Sequence, residues 1–254
     1  PIGLFGDFYS HELSFCLINN NDYKNLHNLF NECNLKIRKI FLKSFIEGIY
    51  TSNTNPNLNA FFQIQINDKN SHIFYFENDS LKFEQNFNFG SDLVIDDISK
   101  VIGLNKETVK KIIANCNFSS QISDNEIVEE VFFKSTNFRK IKKKLIFDVA
   151  VARIEELSEL LISKNSNFIN YLIEDKVIFL NITDQLNLDC FKDSYERYFS
   201  KNYFHKVKFT ANISNNDLMR NANSLINYGW KKEAIPVIQS RKSLIARVFD
   251  AFFS

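Results

Sequence analysis

Phosphate chemistry is built on glycine, because a residue without Cβ lets backbone N–H groups close on phosphate oxygens. This chain holds 6 glycines in 254 residues, where usage of roughly 7% would give about 18. Gly3, Gly6, Gly48, Gly90, Gly103 and Gly229 fall in no G-x-G, no G-x-x-x-x-G-K and no G-x-S-x-G. Walker, Rossmann and nucleophile-elbow sites are thereby excluded. Cys16, Cys33, Cys116 and Cys190 include no C-x-x-C and have no histidine at ligand spacing. That pattern fits reduced, buried thiols rather than a metal site. His11, His27, His72 and His205 each stand alone in sequence and are assigned no catalysis.

Two stretches could hold another molecule instead. Placed on a helix at about 100° per residue, Leu244, Ile245, Val248, Phe249 and Phe252 fall on one face of the segment Gln239 to Ser254, with Lys242, Arg247 and Asp250 off it and Arg241 one turn ahead on the same side. Such a helix is roughly 20 Å long, too short to cross a bilayer. It suits the headgroup boundary, with bulky side chains inserted and cations near anionic lipid. The competing reading is a terminal helix packed on the domain's own core. Further back, Arg139-Lys140-Ile141-Lys142-Lys143-Lys144 reads either as a landing site for an acidic peptide or as a solvated helix start. With 31 Lys and Arg against 30 Asp and Glu, the net charge of +1 supplies no global field. No nucleic-acid partner is therefore expected, and any basic site must be local. No apolar run is long enough to span a bilayer, and no signal peptide is expected from the opening residues. Its start at Pro1 rather than Met is expected to reflect a fragment or an incomplete reading frame.

The elements that would position these groups follow from periodicity and turn chemistry. Leu4 to Ile18 reads as a strand, the stretch from Tyr23 to about Asn34 as a helix behind an Asn-rich cap, Ile37 to Leu42 as a short strand, and Ser44 to Thr51 as helix. The Asn-, Thr- and Pro-rich run from Ser52 to Asn59 is the expected internal boundary. Ala60 to Ile66, Ser71 to Phe76 and Leu81 to Phe89 form a meander across two polar turns. Helices are then expected from Asp92 and over Asn105 to Ala114. After them come a short strand over Glu126 to Phe133 and a long amphipathic helix from about Lys140 to Ile162. Val177 to Ile182 reads as a buried strand, Leu188 to Phe199 as a helix, His205 to Phe209 as an edge strand, and Asn216 to Tyr228 as a helix. Strands alternating with helices after a meander indicate a mixed α/β domain with a helical insertion.

The order of these parts resembles FtsA, the actin-family protein of bacterial division. Pro1-Ile2-Gly3-Leu4-Phe5-Gly6 resembles D-P-I-G-M-S-G, and Asn34-Leu35-Lys36-Ile37 the A-G-L-E-V segment. Ser44 to Ser52 sits where that family has its P-L-A-S-A helix. The most specific match is Gly90-Ser91-Asp92-Leu93-Val94-Ile95-Asp96-Asp97-Ile98-Ser99 with G-G-D-H-V-T-N-D-I-A. Ala152-Arg153-Ile154-Glu155-Glu156 resembles P-R-V-E-E, and Leu225-Ile226-Asn227-Tyr228-Gly229 the terminal G-L-L-x-Y-G. The resemblance implies an actin/Hsp70-type (ribonuclease H-like) α/β domain with a helical or mixed insertion, preceded by the rest of an SHS2-like lobe and followed by an amphipathic tail helix. It places the end of the inserted lobe 1C at 1–37, a remnant of lobe 1A at 38–56, lobe 2A at 57–92 and 151–229, lobe 2B at 93–150, and linker plus tail at 230–254.

The departures fall on the chemistry. The family's second phosphate loop, D-I-G-G-G-T-T-D, lands on Gln65-Ile66-Asn67-Asp68-Lys69-Asn70-Ser71-His72, and its T-G-G-G on Leu180-Asn181-Ile182-Thr183. Every glycine is gone, along with the acid that would serve the metal and the attacking water. The degenerate cofactor positions are thus Gln65, Asn67, Asp68, Lys69, Asn181, Ile182 and Thr183. Lys69 could attract a phosphate as a point charge but cannot rebuild the cradle. No ATP hydrolysis and no metal are expected, while weak binding of ATP with Mg²⁺ stays open. The resemblance implies contact with the FtsZ C-terminal tail at Arg153 and Glu156, whose spacing of three shares one helical face, with Lys142 and Lys143 nearby. It also implies attachment to anionic lipid on the cytoplasmic side of the inner membrane through Arg241, Lys242, Leu244, Ile245, Val248, Phe249, Phe252 and Phe253. Self-polymerisation stays open, as do two rival functions on this fold: an active ATP-binding actin-like protein, and a pilus-assembly adaptor.

Overall fold

A computed structural model describes residues 17–118, 121–133, 138–171, 176–182, 188–201 and 205–233. The chain divides into two compact units, Pro1–Asn59 with Asn78–Ser80 and Ile213–Ser254, and Ala60–Glu77 with Leu81–Asn212.

The first unit is helical over its described residues. Asn19 caps α1 (Asn20–Glu32) by accepting the Asn21 N–H at 2.8 Å. Just beyond that helix, Asn34 turns the chain at φ 56°, a left-handed value that asparagine tolerates. The stretch from Ile37 to Leu42, expected as a strand, is irregular and pairs with no strand among the described residues; alternation alone, without a ladder, does not make a strand. α2 (Lys43–Thr54) buries Ile46 and Ile49 and packs on α8 (Asn215–Glu233). The strand expected at Leu4 to Ile18 lies almost wholly outside the described residues, as does the whole segment Gln239 to Ser254.

The second unit is a five-stranded mixed sheet in the order β3-β2-β1-β4-β5, with β1 (Ala60–Ile66), β2 (Ser71–Glu77), β3 (Ser80–Phe87), β4 (Val177–Ile182) and β5 (Lys206–Phe209). Asn78 and Asp79, at φ 51° and 59°, join β2 to β3. Positive φ at both central residues is what a two-residue hairpin turn requires. β1 runs antiparallel to β2 and parallel to β4, and β4 parallel to β5. Parallel pairing needs a long crossover, and the 110 residues between β1 and β4 that supply it hold the helical insertion.

Phe62, Ile64 and Ile66 of β1 join Ile73, Tyr75, Ile178 and Leu180 on one face, all buried. That face is covered by Val94, Ile95 and Ile98 of α3 (Asp92–Ile102), by Ile146, Ala150, Ile154 and Leu157 of α5 (Lys143–Ser158), and by Phe191, Tyr195 and Phe199 of α7 (Leu188–Lys201). Spacings of three and four put each set on one helical stripe. Each Val, Ile, Leu or Phe side chain among them contributes about 1.5–3 kcal/mol on burial. α3 stops where Gly103 takes φ 65°, and Asn105 starts α4 (Lys106–Asn115) by accepting the Thr108 N–H at 2.8 Å.

Two expectations need correction here. Glu126 to Phe133 is no strand: a single bridge joins Ile127 to Lys142, and Glu130–Phe133 is a 3₁₀ turn that buries Phe133. The long helix begins at Lys143 rather than Lys140, because the segment before it is held by the bridge, with the Val128 N–H donating to Ile141 O at 2.9 Å. Past Ser158 the helix widens into a π turn, Glu159–Ser163, before α6 (Ser166–Ile169).

Candidate functional site

Because β1 and β4 are parallel neighbours in register, Gln65 pairs with Asn181 and Ile66 with Ile182. Both chains therefore leave the sheet at the same end, about 4.8 Å apart. Gln65, Asn67, Asp68, Lys69, Asn181 and Ile182 are brought together there; Thr183 lies outside the described residues. Between β1 and β2 the turn closes on itself, since the Asn67 N–H donates to Asn70 O at 2.9 Å and Asn67 Nδ2 to Asn70 Oδ1 at 2.6 Å. None of its four residues has a positive φ.

The start of α3 is built into that turn. The Ser91 and Asp92 N–H groups donate to Asn67 O at 3.0 Å and to Asp68 O at 2.8 Å, and Ser91 Oγ donates to Asn67 O at 3.3 Å. Helix N-termini leave amides without partners inside the helix, and two of them are satisfied here. Gly90 makes the approach possible, because a Cβ there would stand 2.0 Å from Asn67 O. On the neighbouring strand, buried Asn181 donates from Nδ2 to Asn212 Oδ1 at 3.1 Å. The end of the sheet is thus lined mainly by amides, with Asp68 as the acid of the turn.

The second group of site residues lies at the insertion. Arg153 and Glu156 share one face of α5, as their spacing requires, and are joined by Arg153 Nη1 to Glu156 Oε2 at 2.5 Å. The same guanidinium reaches across to α3, with Nε donating to Asp97 Oδ2 at 2.5 Å and Nη2 also on that oxygen. Arg153 is therefore a clamp between two helices. This contact, 56 residues away in sequence, has no local signal. Lys143 faces Glu126 at 3.7 Å, and Lys144 holds Asp124 at 2.6 Å. That hydrogen bond draws the Asp124 carboxyl below its ordinary range and lifts the Lys144 ammonium.

Arg139, Lys140 and Lys142 are exposed and make no ion pair among the described residues. Exposed apolar side chains belong to the same segments: Ile127 at 41%, Phe138 at 39% and Leu145 at 43%. Ile127 is bridged to Lys142. The cations are plain in the sequence, whereas the exposed apolar neighbours are not, because exposure of Ile127, Phe138 and Leu145 depends on which residues pack against them. Among the described residues no cluster of His, Cys, Asp and Glu could hold a metal ion. No helix among them is long and apolar enough to cross a membrane.

No protein-family model matches the sequence, and no curated protein matches it. Solved structures do. MreB5 of Spiroplasma citri bound to AMPPNP is 14% identical with a TM-score of 0.52, over 85% of this chain and 67% of that one. The same protein bound to ADP is 13% identical with a TM-score of 0.52, over 84% and 68%. A PilM-PilN type IV pilus biogenesis complex is 10% identical with a TM-score of 0.46, over 75% of this chain and 51% of that one. The mixed sheet with its helical crossover is that of the actin-like ATPase fold. At these identities the likeness is one of fold.

Proposed function

We propose that this chain is an FtsA-like adaptor without ATPase activity, which takes the FtsZ C-terminal tail and holds it at the cytoplasmic face of the inner membrane. The observation that carries the reading is the surface at the start of α5. There the exposed cations Arg139, Lys140 and Lys142 stand on the same segments as exposed Ile127, Phe138 and Leu145. Cations beside apolar side chains suit a short acidic peptide with apolar residues, since charge steers the encounter and burial of the apolar groups holds it.

The reading without hydrolysis rests on the closed turn after β1. ATP with Mg²⁺ is what the fold implies, and the residues present do not fit it. Asn67 spends its N–H inside the turn, two turn carbonyls face the start of α3, and Gln65 and Asn181 carry no charge for a metal. Lipid attachment rests on the pattern of Gln239 to Ser254. One such helix binds weakly and reversibly, and many copies along a polymer would multiply it.

Co-sedimentation with phosphatidylglycerol-containing vesicles tests the reading. The full chain should carry FtsZ filaments down with the vesicles, and removal of Gln239 to Ser254 should abolish this while leaving FtsZ-tail binding in solution. Lys140→Glu with Lys142→Glu should do the reverse, sparing vesicle binding. Unchanged recruitment by either variant would defeat the corresponding half of the proposal. A pilus-assembly adaptor would ignore FtsZ altogether.

A further inference from the structure

Cys116 ends α4 and Cys190 lies in the first turn of α7, 74 positions later in sequence. The Cys190 thiol points at the Cys116 carbonyl oxygen at 3.9 Å, and the Phe118 N–H donates to the Cys190 sulfur at 3.5 Å. Cys190 is thus lodged against the backbone that carries the other cysteine. Phe118, two positions after Cys116, and Phe191, next to Cys190, stack at 6.1 Å between centroids and hold the two segments together. Cys116 is buried and Cys190 half-buried, and both are free thiols; Cys33 belongs to the other unit.

We propose that Cys116 and Cys190 are a modification site, a dithiol that closes to a disulfide in the presence of a low-molecular-weight disulfide such as oxidised glutathione. The half-buried Cys190 reacts first. Its thiolate attacks one sulfur of the oxidant, forming a mixed disulfide and releasing one glutathione thiolate, which takes up a proton. The Cys116 thiolate then attacks the Cys190 sulfur and releases the second glutathione as thiol. Two protein thiols are oxidised and one small disulfide is reduced to two thiols.

The contact leaves the two Cα atoms no more than about 9 Å apart by bond lengths, against roughly 4.4–6.8 Å across a disulfide. A shift of some 2 Å closes the gap. Cys116 is held by its N–H, which donates to Ile112 O at 2.8 Å, but its backbone is extended at φ −95° and ψ 139°, so the shift falls on the chain after the helix and on the start of α7. The bond would tie the exit of α4 to the start of α7, and so the insertion to a helix that covers the sheet. Closing so long a loop restricts the unfolded chain strongly.

The full chain, incubated without denaturant in oxidised glutathione, should yield a Cys116–Cys190 peptide on non-reducing mass mapping, lighter by two hydrogens. Its melting temperature should rise by several degrees and return on reduction. Cys33→Ser should leave both results in place, while Cys190→Ser should remove the linked peptide and the rise. The proposal is overturned if Cys190 stops at the glutathione adduct. It is equally overturned if linked peptides appear only in denatured protein, or if the bond forms and the melting temperature does not rise.

Discussion

Gly90 shows how one residue without a side chain fixes a site. A Cβ at that position would meet Asn67 O at 2.0 Å, Asp68 O at 2.7 Å and Asp68 C at 2.9 Å, all backbone atoms that cannot rotate away. Gly90→Ala must therefore push the start of α3 off the turn and break the two bonds from Ser91 and Asp92. Two hydrogen bonds at about 1 kcal/mol each, plus the displacement, give a loss of about 3 kcal/mol or more, read by urea unfolding. A variant as stable as the parent would mean that the turn yields. Cys116 answers to pH instead. Burial raises its thiol above the ordinary value of 9.0, helped by Glu129 and Cys190 and opposed by Lys143. The unfolded chain gives up this proton at a lower pH than the folded one. The contribution is therefore whole below pH 9.0 and is lost as pH rises through the raised value. Stability should fall along that alkaline limb, and Cys116→Ala should flatten the fall; parallel slopes would refute the assignment.

At the scale of elements, the clamp from α5 to α3 is the contact most open to test. Arg153 and Asp97 are both 23% exposed, so their pairing is worth more than a surface bridge and less than a buried one. Arg153→Ala should cost about 1–2 kcal/mol, and Asp97→Ala a similar amount. Together they should cost clearly less than the sum, since either change removes the same bond. Full additivity in denaturant melts would show that the two side chains act apart. The pairing could not be read from the sequence, where Arg153 stands out through the family resemblance and its spacing to Glu156, and Asp97 through the resemblance of its segment, with nothing to join the two. The strands differ: Ala60–Ile66 and Val177–Ile182 have the expected bounds, because short segments rich in Ile, Val and Phe between polar turns leave few alternatives. Glu126 to Phe133 reads as a strand for the same reason, yet its pairing stops at one bridge: the Val128 N–H donates to Ile141 O, and past it Glu130–Phe133 closes into a 3₁₀ turn. The parallel register that brings Gln65 beside Asn181 has no signal in the sequence, since periodicity carries no information on which strands pair.

Over the whole molecule the question becomes whether a nucleotide contributes to the folded state. Any ligand that binds the native chain and not the unfolded one stabilises it by RT ln(1 + [L]/Kd). A site with Kd near 10 μM, faced with 1 mM Mg-ATP, would add about 2.7 kcal/mol. For a chain of this size that raises the melting temperature by roughly 5–10 °C, a shift no thermal scan would miss. The geometry at the end of β1 argues for the opposite outcome, because the groups that would grip phosphate already hold one another: Asn67 with Asn70, and the turn carbonyls with Ser91 and Asp92. Binding would first have to break those bonds, and no glycine is present to re-form the turn around a phosphate. Mg-ATP, ADP and AMPPNP at 1 mM should therefore each move the transition by less than about 1 °C, which corresponds to a Kd in the millimolar range or weaker. A rise of several degrees would show that the fold keeps its nucleotide and would overturn the argument from the closed turn; phosphate release from Mg-ATP would then decide between a nucleotide-bound adaptor and a working actin-like ATPase.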